Sequence, residues 1–505
     1  MSFAVVLTRA NVGLHTPLVA VETHLSRGLP RFNIVGLPET AVKESKDRVR
    51  SAILQGKFKF PKGRITVNLA PADLPKEGGR FDLPIAISLL IASKQLRCKN
   101  IQAYELAGEL ALSGELRAIK GILPFALATQ QAKRALILPS GNVNEATWIT
   151  PLDIFDFPDF VSVVKYLSGE QSREPAQPPP LLEPQGQPTY CLSDVCGQHA
   201  AKRALEIAAA GGHSLLMIGP PGTGKTMLAG RLSPILPPLT RTQALEVASL
   251  YSISRYGFHP EHLFKRPFRQ PHHTASAISL VGGGRIPCPG EISLAHQGIL
   301  FLDELPEFSR HVLEVLREPL ESGKVLISRA AGQAEYPAGF QLIAAMNPCP
   351  CGYFGSDQQE CHCSREQVHR YRSKISGPLL DRIDLHIEVP AVPAKRLTAF
   401  HPKQEETSQQ VQQRVINARN KQVARGIACN AALNARDIVT HCALSEATQL
   451  LLSRALEKLK ISARAYHRIL KVARTIADLN NSDQIEGPHI AEAIQYRKLD
   501  RTLAE

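Results

Sequence analysis

The sequence predicts an α/β chain in three parts: an α+β amino-terminal unit, an α/β core built on a parallel sheet, and a helical carboxyl-terminal segment. Three observations predict it. Two short apolar runs, Leu215-Leu216-Met217-Ile218 and Ile299-Leu300-Phe301-Leu302, lack polar alternation, as parallel strands covered on both faces do. The first run feeds a Gly-rich stretch and the second ends in two carboxylates, Asp303-Glu304. From about residue 404 onward, apolar residues recur at three- and four-residue spacing, the period of amphipathic helices.

Taken in order, residues 1–168 mix strand-like runs (64–69, 135–138) with helical ones (83–93, 123–133), so this part reads as α+β. Residues 169–189 form a linker. Six prolines within 171–189 deny it helix and sheet and make it a semi-rigid spacer. Residues 190–392 alternate strands and helices. Residues 393–505 are helical, with segments at 409–425, 445–459 and 464–479.

The stretch Gly219-Pro220-Pro221-Gly222-Thr223-Gly224-Lys225-Thr226 is a phosphate-binding P-loop pattern. Its glycines let backbone N–H groups turn inward around phosphate oxygens. Lys225 places a compact cation on the β/γ-phosphates of ATP, and the Thr226 hydroxyl ligates Mg²⁺. Asp303, at the carboxyl end of its strand, is placed to hold Mg²⁺ through water, and Glu304 to orient or deprotonate the attacking water.

Chain-wide properties bound the partners. The net charge is +13, which favours an anionic partner, nucleic acid first. The segment Met1–Leu7 has no basic stretch leading into a long apolar core, and the longest apolar run, near 84–92, is too short to span a bilayer. A cytoplasmic home without membrane attachment is expected, and the ten cysteines then read as metal ligands or buried thiols rather than disulfides.

Four further segments sharpen the class. Ala344-Ala345-Met346-Asn347 resembles the sensor-1 strand of AAA+ ATPases, with Asn347 positioning the water. The segment 376–384 (SGPLLDRID) resembles the one carrying the arginine finger in the chelatase and MCM branch, with Arg382 as the finger for a neighbouring subunit. Ser462-Ala463-Arg464-Ala465 resembles the sensor-2 turn, with Arg464 as its arginine. Asp194-Val195-Cys196-Gly197-Gln198 resembles the adenine-side box, which assigns Val195 and Gly197 to the nucleotide.

Across nearly its whole length the chain resembles the magnesium-chelatase-like AAA+ proteins of the ComM/YifB type. The stretches PKEGGRFDLPIAISLL, GELALSGELRAIKG, FRQPHHTASAISLVGGG, AHQGILFLDELPEF, AAMNPCPCG and SGPLLDRIDLHIEVP carry the resemblance. It implies a bacterial homo-hexameric ATPase, a DNA helicase driving branch migration when incoming DNA is integrated in natural transformation. The amino-terminal unit resembles the Lon protease domain. There Arg80 stands at the serine position and Pro124 at the lysine position, which implies a non-proteolytic module for ring assembly or DNA contact.

Cys349-Pro350-Cys351 and Cys361-His362-Cys363, with nine residues between the pairs, supply four thiolates for a tetrahedral zinc site, with His362 a possible substitute ligand. Two loops are candidates to face a pore. One runs from Phe268 to Arg285 and resembles a helix-2 insert, offering Arg269 and Arg285. The other, 325–333, resembles a pre-sensor-1 hairpin with Arg329 near its tip. Cationic tips track phosphates without reading bases. Residues 454–474 carry seven Lys/Arg against one acid, a second candidate DNA surface. Two other readings stay open: a chelatase motor that remodels a protein partner without DNA, and a regulatory ATPase acting as a scaffold.

Overall fold

The computed structural model describes residues 2–178, 190–284, 287–329, 332–356, 359–393, 398, 405–459 and 463–497. Residues 179–189, the second half of the linker, and Arg285 lie outside the described residues.

The amino-terminal unit is a seven-stranded sheet in the order Arg31–Val35, Arg64–Ala70, Leu18–Ser26, Ser2–Arg9, Tyr104–Leu106, Ala135–Pro139, Ile154–Phe157. Leu18–Ser26 runs antiparallel to both of its neighbours, and the remaining pairs are parallel. The 64–70 strand alternates buried and half-buried residues, as a sheet with one covered face requires. Helix Asp82–Ala92 is apolar on all sides because sheet and neighbouring helix Ser45–Gln55 enclose it. Glu105 is fully buried in this unit and is neutralised by Arg9 at 2.6 Å and Arg134 at 3.0 Å.

The Pro-rich stretch starts against this unit rather than away from it. Arg173 pairs with Asp156 at 2.7 Å and covers the Phe157 ring, and the Ala176 N–H donates to Ile154 O at 2.8 Å.

The core sheet has five parallel strands in the order Phe268–Arg269, Ile299–Leu302, Gln341–Met346, Leu215–Ile218, Leu385–Glu388. Its three central strands are buried at every position, which is why they read as unbroken apolar runs. The earliest-starting inner strand, 215–218, lies between two strands that come much later in the chain. Its carboxyl end therefore opens at a point where the strand order reverses, the place where parallel sheets bind ligands.

Two seams join this core to the rest. Helix Ile122–Gln131 packs on Arg241–Ile253, and Gly121 N–H donates to Ser252 O at 3.0 Å. At the carboxyl-terminal side, helices Ser408–Ala424 and Ala463–Leu479 pack on His199–Gly211 and share one hydrophobic cluster with the sheet. Ion pairs Lys202–Glu405 (2.6 Å) and Arg203–Glu492 (2.9 Å) tie the same faces together. Among the described residues no helix is long and apolar enough to cross a membrane.

Candidate functional site

The P-loop leaves the central strand at Gly219, where a Cβ would stand 2.2 Å from Val389 O, so only glycine fits. Gly224 precedes helix Lys225–Gly230 at φ +85°, again a conformation side chains disfavour. The Lys225 ammonium is buried and donates to Gly219 O (2.7 Å), Pro220 O (2.8 Å) and Asn347 Oδ1 (3.1 Å). Burial lowers its pKa below the usual lysine value, and the charges of Asp303 and Glu304 offset part of that.

The acidic strand meets the loop. Thr226 Oγ1 donates to Asp303 Oδ2 at 2.7 Å, so the hydroxyl and carboxylate expected to hold Mg²⁺ already touch. Glu304 follows with φ +52° and ψ +47°, left-handed for a non-glycine residue, and its side chain is half exposed. Asn347 emerges directly after Gln341–Met346, the strand between the P-loop strand and the acidic strand, which is what brings its amide to Lys225.

Val195 is buried in the core just before helix His199–Gly211, and the Gly197 N–H donates to Glu405 Oε1 at 3.4 Å. Gln198, the last residue of this box, adopts φ +51° and donates to Pro390 O at 2.7 Å and to Thr223 O of the P-loop at 3.5 Å.

The four cysteines converge. Their sulfurs all lie within 4.8 Å of one another, with Cys349–Cys351 at 3.3 Å, Cys351–Cys361 at 3.5 Å and Cys349–Cys361 at 3.7 Å. Four thiolates about 2.3 Å from a tetrahedral zinc stand about 3.8 Å apart, so the donor set fits that ion. The cluster abuts the P-loop: a Cβ on Gly352, which has φ +90°, would stand 2.7 Å from Pro221 Cδ. Arg372 fixes the same loop by donating to Pro348 O at 3.1 Å and covering Phe354.

Arg382 lies at the other end of the sheet. Ser214 Oγ donates to Arg382 O at 3.0 Å just before the 215–218 strand begins, whereas Lys225 lies past that strand's end. A strand of four residues separates them by at least about 10 Å. Its guanidinium is mostly buried and engaged with Pro378 O (2.7 Å) and Glu321. Arg464 is exposed in the first turn of its helix, on that same side, and makes no hydrogen bond to the P-loop among the described residues. Arg468, one turn on and missed from sequence, donates to Arg382 O at 3.1 Å and pairs with Asp384. Its spacing of four from Arg464 was the available signal.

The arginines expected from the sequence to meet DNA divide. Arg269 does not fit that role: Glu291 takes its guanidinium at 2.6 and 2.9 Å and Tyr256 stacks on it, because the Phe268–Arg269 strand turns it into the domain. Arg329 ends strand Lys324–Arg329, which forms an antiparallel ribbon with Gly332–Pro337. A second ribbon pairs Gly282–Gly283 with Cys288–Pro289. The two ribbons touch: Tyr336 Oη donates to Pro287 O at 2.6 Å.

A parallel five-stranded sheet with the P-loop on an inner strand, paired acids two strands away and an asparagine on the strand between them defines a P-loop ATPase of the AAA+ class. Residues 191–397 match the family model "Magnesium chelatase, subunit ChlI", 21–142 match "Subunit ChlI of Mg-chelatase", and 405–497 match its C-terminal model. The chain is 50% identical over 507 residues to "Competence protein ComM" of Haemophilus influenzae, covering 100% of this chain and 99% of that one. It is 47% identical to "Uncharacterized protein YifB" of Escherichia coli, covering 100% and 98%. Similarity to the "Magnesium-chelatase 38 kDa subunit" of Rhodobacter capsulatus is 25% and spans 32% of this chain and 51% of that one. The chain belongs to the ComM/YifB family of magnesium-chelatase-like AAA+ ATPases.

Proposed function

We propose that this protein is an ATP-driven DNA motor that works as a ring of copies, six by family, and promotes branch migration during the integration of incoming DNA. The observation that carries this reading is the joining of a connected P-loop, acid and asparagine site to two touching ribbons in one chain. Lys225 and Thr226 bind the phosphates and Mg²⁺ of ATP, Asp303 holds the ion, and Glu304 activates the water that Asn347 positions. Arg382, too far from its own P-loop, serves the neighbour's nucleotide, and Arg464 on the same side joins it. Arg329 and Arg285 carry the phosphate contacts, which are sequence-independent and salt-sensitive. The full-length likeness to a competence protein supports the pathway.

Two structural roles complete the reading. Cys349, Cys351, Cys361 and Cys363 hold Zn²⁺ and brace the P-loop and Asn347. The amino-terminal unit is a Lon-protease-like module without peptidase chemistry. Arg80 there donates to Lys120 O at 2.9 Å, and Pro124 opens a buried helix and offers only its carbonyl, to Thr16, at 3.0 Å.

Strand-displacement and branch-migration assays on the purified full chain test the proposal. ATP-dependent movement of a DNA branch, with hydrolysis raised by DNA and lowered by salt, is expected. Hydrolysis indifferent to DNA at low salt overturns it and favours a chelatase-type motor acting on a protein partner.

A further inference from the structure

We propose that a cleft at the outer edge of the core sheet binds a nucleoside monophosphate unit, separately from the ATP site. The cleft lies between helix Arg241–Ile253 and the chain that leads into edge strand Phe268–Arg269. Its volume is about 410 Å³, in the range of small-ligand sites. Strands Ile299–Leu302 and Gln341–Met346 stand between that edge strand and the P-loop strand. Three strand spacings separate the two by about 14 Å.

The cleft combines aromatic rings with charge that the chain leaves uncompensated. Tyr251, Tyr256 and Phe258 line it, together with Val247 and Leu263. The Tyr256 ring is fixed: its hydroxyl receives Arg269 Nη2 at 2.8 Å and Arg255 Nη2 at 2.9 Å, and donates to Glu291 at 3.1 Å. The nearby carboxylates are already engaged, Glu291 by Arg269 at 2.6 Å and Glu261 by His259 at 3.4 Å. Two cations on the cleft, Lys265 and Arg266, have no acid partner among the described residues. Arg266 donates only to backbone, Pro237 O at 2.7 Å and Gln297 O at 2.5 Å. Burial, with the like charge of Arg419, lowers its pKa to about 10, as befits a cation without a counter-ion.

The turn after Tyr256 adds backbone donors. Gly257 has φ +76°, and the N–H groups of Gly257, Phe258 and His259 meet no acceptor among the described residues. All three residues line the cleft. Successive free N–H groups next to a left-handed residue form a concave anion site. Lys265 is exposed and adds an ammonium at the mouth. This donor set suits a phosphate, whose three terminal oxygens spread toward separate donors, better than a planar carboxylate.

The rings take the other end of the ligand. Aromatic side chains hold a nucleobase by stacking, whatever its identity. A molecule with a flat, largely apolar body and a phosphate at one end is a nucleoside monophosphate. The same unit occurs free and within a single strand of DNA, so either source offers the chemistry that the cleft fits. Binding here uses no residue of the ATPase site and does not depend on the motor reading.

The test uses the full-length protein and two photoreactive probes: 5-iododeoxyuridine monophosphate, and a short oligothymidylate with one internal 5-iodouracil. Each is titrated, crosslinked with light, and located by mass spectrometry of the modified peptides. Saturable crosslinking to Tyr251, Tyr256 or Phe258 is expected from at least one probe. The mononucleotide alone reacting there makes a free nucleotide the ligand; reaction of the oligonucleotide makes it a DNA strand. Lys265→Glu should raise the half-saturating concentration at these residues about tenfold or more, and Lys265→Arg should stay near wild type. Phe258→Ala should raise it about fivefold or more. Crosslinks from both probes only outside residues 247–269 overturn the site. So does unchanged half-saturation in Lys265→Glu, whose exposed side chain keeps the test apart from folding.

Discussion

Replacing Glu145 by glutamine should stabilise the amino-terminal unit at neutral and alkaline pH and leave it nearly unchanged near pH 5. Glu145 lies in helix Val143–Ala146, beside Leu123 and against Ser252 of the ATPase core. One of its carboxylate oxygens is buried without a hydrogen-bond partner. Burial raises its pKa from 4.5 to about 7, with the Ser252 hydroxyl and the Leu123 N–H offsetting only part of the effect. The folded chain therefore holds this proton more tightly than the unfolded chain. Stability is complete below about pH 4.5, declines as pH rises toward 7, and is level above that. At about 1.4 kcal/mol per pH unit the window amounts to about 3 kcal/mol. Glutamine does not titrate, so the variant keeps that stability. For a unit of this size the gain corresponds to about 6–12 °C in Tm at pH 8. Thermal unfolding followed from pH 5 to 8 should show the gap between variant and wild type opening with pH. A gap that stays constant, or a wild type more stable at pH 8, refutes the reasoning.

Other expectations concern the ATPase site. Lys225→Ala should lose ATP binding, whereas Glu304→Gln should bind ATP and lose about a hundredfold or more in kcat; equal loss of affinity for a fluorescent ATP analogue would refute that division. Protein purified without chelator should carry about one zinc per chain by elemental analysis, and changing Cys349, Cys351, Cys361 and Cys363 to serine should remove it; full retention would refute the site. Arg382→Ala should bind ATP and hydrolyse it about a thousandfold more slowly. Mixing it with Lys225→Ala should restore part of the rate, and a mixture that stays inactive while mixed rings form counts against a finger shared between chains.

What the sequence made legible was what depends on short-range pattern. The three central strands could be read because burial on both faces leaves runs such as Ile299–Leu302 with no polar residue. The P-loop could be read because phosphate binding needs its residues in one unbroken stretch. The cysteines could be read because two close pairs offer four donors from a short stretch, and their sulfurs do converge. The rest depends on partners far apart in the chain. Arg269 looked like a cation for DNA until folding brought Glu291 to it, 22 residues away. His273 carried no separate signal in the sequence, since only folding opposes it to Glu304. Arg468 needed Asp384, 84 residues earlier, to reveal its place. The six prolines marked a spacer, yet Arg173 and Ala176 dock, because proline content is silent about the residues between.

The two ends of the core sheet do different chemistry, and that division is the strongest physical argument for assembly. At the carboxyl ends, Lys225, Thr226, Asp303 and Asn347 form one connected set of contacts. At the amino ends, a separate network holds the backbone around Arg382. Asp384 is buried there. Burial alone would push its carboxyl up, but the Arg468 charge and the bond from His213 outweigh it and hold it well below the usual carboxylate range. His213 in turn meets Thr475 at 2.8 Å, Ser214 bonds Arg382 O at 3.0 Å, and Arg497 bonds Ile383 O. So many bonds on three consecutive residues make a rigid platform, and a rigid platform is what a transition-state cation needs. Yet the platform faces away from the nucleotide of its own chain. On the proposed reading, a lone chain has a phosphate site without a finger and a finger without a phosphate. Stacking copies so that the amino end of one sheet meets the carboxyl end of the next supplies both, and each added copy repeats the same junction. A heterologous contact of this kind closes into a ring when its rotation allows. Arg468 holds the backbone of Arg382 from the helix that carries Arg464, so on the proposed reading movement of that helix in one copy would alter catalysis in the next.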